Sequence, residues 1–159
     1  MNNWQKKILI AYFSWGGNTQ HVAEHIAALT GGTLFRIEPE KPYPTEYTPC
    51  TEVAKAEKKP MPPRHQKEVE DWEQYDTIFI GCPVWWWTAP MIINTFTEDY
   101  DFKGKTVIPF CTYASTYRDE TLARIVELTP AAEHLKGFGA VSKNTKGIEE
   151  WLKEIKMLK

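Results

Sequence analysis

Three short runs constrain this chain more than any other feature: Ile8-Leu9-Ile10-Ala11-Tyr12-Phe13, Thr77-Ile78-Phe79-Ile80-Gly81-Cys82 and Thr106-Val107-Ile108-Pro109-Phe110-Cys111. A strand with one face in water alternates apolar and polar residues. These runs are apolar almost throughout, so both of their faces need cover, as in a parallel sheet lying between two layers of helices. Helical spacing separates them. Val22, Ala23, Ile26 and Leu29 recur on one side of a helix that Gly31-Gly32 ends, and Thr33 to Ile37 is a further strand. A helix is expected from about Glu120 to Leu128, a weaker strand from Leu135 to Val141, and a last helix carrying Ile148, Trp151, Leu152, Ile155 and Leu158 on one stripe. Strands alternating with helices imply right-handed crossovers and an α/β fold.

The chain of 159 residues fits one domain spanning 1–159. Seven of the eleven prolines fall between Pro39 and Pro63, which makes that stretch an irregular, decorated crossover, with room for a short charged helix from Glu52 to Lys59. Net charge is −2, with 19 basic and 21 acidic residues interspersed, and no basic stripe suited to neutralising nucleic-acid phosphates. No apolar stretch approaches the ~20 residues of a membrane-spanning helix, and the N-terminal run is too short for the apolar part of a signal peptide. Three cysteines without a C-x-x-C pair speak against a disulfide framework and for a reducing, cytoplasmic setting.

In open parallel sheets, ligands sit beyond the carboxyl ends of the strands, where strand order reverses. The loops after Phe13, Cys82 and Cys111 therefore matter most. Ser14-Trp15-Gly16-Gly17-Asn18-Thr19 leads into the first helix, whose start offers unpaired N–H groups and a partial positive charge. Its two glycines let the backbone approach an anion, and Ser14, Asn18 and Thr19 add side-chain donors. Lacking a lysine, the loop suits a monophosphate rather than a triphosphate with magnesium, and both the G-x-x-x-x-G-K-[ST] and G-x-G-x-x-G patterns are absent. The residues alone leave two readings open: a phosphate cradle, or a helix start capped in the ordinary way by Asn18. After the Thr77–Cys82 run, Pro83-Val84-Trp85-Trp86-Trp87-Thr88-Ala89-Pro90 sets three adjacent indoles between prolines. That is a shelf for a flat π-rich ring, a docking patch for a protein, or in part core.

Ile10-Ala11-Tyr12-Phe13-Ser14 followed by Gly17-Asn18-Thr19 and Val22-Ala23 resembles the phosphate loop of the flavodoxin family, S/T-x-T-G-N-T, with Gly16 standing where the family has its middle threonine. Gly81 to Pro90 is similar to the G-x-P-[IV]-W-W-x-T-A-P stretch of short flavodoxin-like proteins. Phe102-Lys103-Gly104-Lys105-Thr106-Val107 and Glu149-Glu150-Trp151-Leu152 extend the resemblance over nearly the whole chain. It implies a flavodoxin-like three-layer α/β/α sandwich on a five-stranded parallel sheet, and the order 2-1-3-4-5 is carried over from flavodoxin itself. It also implies noncovalent FMN. Ser14, Trp15, Gly16, Gly17, Asn18 and Thr19 would hold the phosphate. Pro83, Val84, Trp85, Trp86 and Trp87 would flank the isoalloxazine, and Thr112, Tyr113, Ala114 and Ser115 would face its other edge, where the family usually has glycines. No nucleophile, general base or metal is implied.

Three functions follow as expectations. The first is an electron carrier, monomeric or weakly dimeric, docking transiently on a reductase and an acceptor. The second is an NAD(P)H-dependent flavin or quinone reductase. The third is a flavin-free interaction protein that uses the Trp85–Trp87 loop. A charge of −2 offers little long-range steering for the first. His21-Val22-Ala23-Glu24-His25 matches H-x-x-E-H, but no further ligand lies at a metal-site spacing. Asp119 and Glu120 either support the start of their helix or make the ring pocket more negative. Cys82 and Cys111 end strands expected to be neighbours, as small apolar side chains or as a thiol pair.

Overall fold

A computed structural model describes residues 7–14, 16–38, 69–84, 89–114 and 118–157. The expected apolar runs are strands: β1 (Ile8–Tyr12), β3 (Thr77–Pro83) and β4 (Thr106–Tyr113), joined by the shorter β2 (Thr33–Arg36). All pairings are parallel, and the order across the sheet is β2-β1-β3-β4 followed by a fifth position. Two short strands share that position, β5 (Glu133–His134) and β6 (Phe138–Val141), both paired with β4. The interruption falls beside Pro109, which brings no N–H to the ladder. Gly137 passes so close there that a Cβ would lie 2.8 Å from the Pro109 carbonyl oxygen. Of the single strand expected over Leu135–Val141, Phe138–Val141 forms β6, while β5 lies just before that range.

Helix α1 (Asn18–Thr30) ends as expected at Gly31, whose φ of 75° is left-handed and whose N–H bonds the Ala27 carbonyl. Helix α2 (Met91–Glu98) is an addition to the sequence reading. Helix α3 (Arg118–Glu127) starts two residues earlier than expected, and α4 (Ile148–Glu154) completes the set. Outside the described residues lie the possible helix over 52–59 and Leu158.

The sheet separates two cores. On one face Ile10, Phe79, Ile108 and Phe110 meet Val22 and Ile26 of α1 and Ile148, Trp151 and Leu152 of α4. On the other, Leu9, Ala11, Ile78, Ile80 and Cys82 meet Ile92, Ile93 and Phe96 of α2 and Ile125 of α3. Cover on both faces is what the unbroken apolar runs demanded. Gly81 is needed here for space: a Cβ would lie 2.0 Å from Cζ of Phe110, its register partner on β4. The amino-terminal edge of the sheet is tied by buried Lys105, whose Nζ donates to the Trp72 and Tyr75 carbonyls and lies 5.1 Å from the Trp72 ring centroid. The carboxyl ends of β1, β3 and β4 are left to be closed by the loops.

Candidate functional site

Parallel register brings the carboxyl ends of β1, β2, β3 and β4 to one edge. The chain leaves β1 for β2 on one side, then crosses to β3 on the other, so strand order reverses between β1 and β3. The ladder continues into the loops: Phe13 N–H donates to the Gly81 carbonyl at 3.0 Å, and Val84 N–H to the Thr112 carbonyl at 3.1 Å. The loops therefore leave the sheet from fixed positions.

Gly16 and Gly17 have φ of 84° and 97°, a backbone that L side chains rarely adopt, and this pair turns the chain from β1 into α1. Gly17, not Asn18, is the N-cap, and it makes no side-chain cap bond. The helix thus starts without the ordinary capping side chain, its first-turn N–H groups pointing back into the loop. Among the described residues other than its chain neighbours, a Cβ at either glycine would meet no atom within 4 Å. Buried Ser14 accepts a hydrogen bond at Oγ from Gln20 N–H at 3.1 Å and keeps its own hydroxyl proton to donate.

Thr19 is buried more deeply than its expected part in phosphate binding required. Its hydroxyl pairs with that of Thr112 at 2.8 Å, 93 residues away, with 1% of Thr19 and 4% of Thr112 exposed. One hydroxyl donates to the other, which leaves the pair a single proton to offer elsewhere. The bond ties the first turn of α1 to the end of β4, so two of the three loops share an anchor. No local signal in the sequence announces it.

A cation that the sequence reading did not single out stands beside this loop. Arg36, at the end of β2, donates from Nη1 to Gln20 Oε1 at 2.7 Å and from Nη2 to the Ser14 carbonyl at 3.1 Å. Its Nε lies 3.5 Å from Glu38 Oε1, and its Cζ is 6.0 Å from the Tyr12 ring centroid. Burial pushes the Tyr12 phenol above its ordinary value, and the Arg36 charge and hydrogen bond oppose that shift.

The third loop leaves β4 at Tyr113 and Ala114, where Ser142 N–H donates to the Tyr113 carbonyl at 2.9 Å. Beyond it Asp119 pairs with Arg118 Nε at 3.0 Å on the surface, so its negative charge is locally offset. Asp119 and Glu120 occupy the first turn of α3, where acidic side chains favour the helix dipole. Cys82 and Cys111 are register partners, both buried. Burial pushes the Cys82 thiol well up, with Cys111 adding to the shift, and it pushes the Cys111 thiol up to about 12. The thiolate is the reactive form, so these groups are held in the unreactive one. Of the residues expected to bind cofactor, Ser14, Gly16, Gly17, Asn18, Thr19, Pro83, Val84, Thr112, Tyr113 and Ala114 come to this edge. Trp15, Trp85, Trp86, Trp87 and Ser115 lie outside the described residues.

A sheet that reverses its order beside a glycine turn and a helix start without a side-chain cap defines a doubly wound α/β protein with its crevice at the switch point. Within that class the chain belongs to the flavodoxin family: the Flavodoxin family model matches residues 7–155. A candidate flavoprotein of Bacteroides eggerthii is 34% identical, with a TM-score of 0.82 over 96% of this chain and 99% of that one. One from Bacteroides uniformis is also 34% identical, with a TM-score of 0.81 over 93% and 98%. A flavoprotein of Lactobacillus acidophilus, solved in complex with FMN, shares the fold at 23% identity, with a TM-score of 0.77 over 92% and 98%. No curated protein matches the sequence.

Proposed function

We propose that this chain binds FMN noncovalently at the carboxyl edge of its sheet and works as an electron carrier. The observation that carries the reading is the left-handed Gly16-Gly17 turn running into a helix whose N-cap, Gly17, has no side chain, in a chain of the flavodoxin family. The residues present fit the group. Gly16, Gly17 and the first-turn N–H groups of Asn18 and Thr19 would hold the phosphate, with Ser14 Oγ donating. Pro83 and Val84 start the ring side, from which the Trp85–Trp87 loop would supply stacking surface, and Thr112 to Ser115 would face the other edge. The FMN complex of the Lactobacillus acidophilus relative supports the choice of cofactor.

Bound FMN supplies redox chemistry by accepting and returning electrons. The chain's own work is to hold the phosphate without a metal, shield the ring from water, and leave one edge of it accessible to a partner. With net charge −2, docking on a reductase and an acceptor would rest on local contacts more than on long-range attraction. That same charge weakens the carrier reading without replacing it, and the second reading is an NAD(P)H-dependent reductase of quinones or flavins. Photoreduction of the FMN-loaded chain separates them. A carrier shows two resolved spectral stages and no NAD(P)H turnover. One-stage bleaching with steady quinone-dependent NAD(P)H oxidation would replace the carrier by the reductase.

A further inference from the structure

We propose that Arg36, standing outside the loop it supports, makes the site select phosphorylated flavin over riboflavin. The inference rests on the FMN reading above and concerns a residue that plays no part in it. Loop residues Ser14 to Thr19 contain no cation, whereas a flavin phosphate carries close to two negative charges above its second pKa of about 6. A guanidinium stays protonated throughout.

Arg36 reaches across from β2 and grips the loop at both ends. Nη2 holds the Ser14 carbonyl, where the loop begins, and Nη1 holds the Gln20 side chain, in the first turn of α1. Gln20 N–H in turn bonds Ser14 Oγ, closing a ring of three residues around the turn. Two consequences follow. The fork fixes Ser14 Oγ and the helix start in one arrangement before an anion arrives, which lowers the ordering cost of binding. It also places a permanent positive charge behind the cradle, partly offset by Glu38 at 3.5 Å. Both effects act through Ser14 and Gln20, at the phosphate end of the site. Arg36 is therefore a positioning and selectivity residue, not one that touches the flavin ring.

The test compares FMN and riboflavin affinities of the wild-type chain, Arg36→Met and Arg36→Lys by quenching of flavin fluorescence, at low and high salt. The arginine side chain is partly exposed, so both variants are expected to fold, and circular dichroism confirms it. Arg36→Met should weaken FMN about tenfold, flatten its salt dependence and leave riboflavin within about twofold. Arg36→Lys should recover the salt dependence and only part of the affinity, because a point charge cannot reproduce the fork. Equal weakening of both flavins would reduce Arg36 to a structural prop, and unchanged FMN binding would remove it from the site; either overturns the proposal. If the wild-type chain itself bound neither flavin, the FMN reading would fail and the proposal with it. That result is visible in the first titration, before any variant is compared.

Discussion

Replacing Thr19 by valine should cost more than one hydrogen bond is worth. The Thr19 and Thr112 hydroxyls bond each other at 2.8 Å inside the protein. Removing one leaves the other buried without a partner, a penalty of about 1–3 kcal/mol. Thr112→Val should cost a similar amount for the mirror-image reason. The double variant has no orphan: two methyl groups meet where two hydroxyls met, and such paired replacement is nearly neutral, within about 1 kcal/mol. If each single change costs about 2 kcal/mol, independent sites would give about 4 for the pair, whereas this geometry predicts about 1 or less. Urea unfolding of all four proteins without cofactor measures this, read from midpoints at constant slope. A double variant as unstable as the sum of the singles would refute the pairing, and with it the anchor shared by the first and third loops.

Three further outcomes follow from the same structure. Gly81→Ala should destabilise by about 3 kcal/mol, because its Cβ would overlap the Phe110 ring; Phe110→Leu in the same chain should recover part of the loss in thermal melts. Gly17→Ala meets no atom within 4 Å among the described residues, and its φ of 97° opposes it; a cost of about 1–2 kcal/mol is expected in urea unfolding, with weaker FMN binding. Cys82 and Cys111 keep their protons when folded, with Cys111 raised to about 12. The unfolded chain releases those protons first, so stability is complete below the ordinary thiol pKa and falls above it, the Cys111 contribution until about 12. The slope is about 1.4 kcal/mol per pH unit for each thiol, and Cys111→Ala should make the fall shallower in urea unfolding at alkaline pH.

The central strands were legible because their chemistry is extreme: runs apolar on both faces admit little but a covered parallel sheet. Helix α1 was legible from its periodicity and Gly31. Helix α2 was not: Ile92, Ile93 and Phe96 stand at helical spacing, but over only eight residues and directly after the tryptophan-rich loop the period is too short to stand out. The break in the fifth strand depends on Pro109 in a neighbour, a tertiary effect that no local window contains. At the site, the glycine turn could be read locally, since positive φ leaves a compositional mark. The Thr19–Thr112 bond could not, since it joins residues 93 apart. Arg36 escaped for another reason: in the sequence it is one basic residue on a short edge strand. Only the register with Tyr12 carries it to the loop. Of the seven tryptophans, Trp72 and Trp151 prove to be core side chains, stacked on Tyr100 at 4.5 Å and on Phe138 at 5.0 Å.

The most direct test of the proposed site is an amide-resolved NMR titration of the chain with FMN. Amides of Gly16, Gly17, Asn18 and Thr19, together with Val84 and Thr112 to Ala114, should shift in step and saturate at one FMN per chain. Those of Thr77 and Lys105, at the opposite end of the strands, should stay in place. Saturable shifts confined to that opposite end, or none at any FMN concentration, would contradict the account.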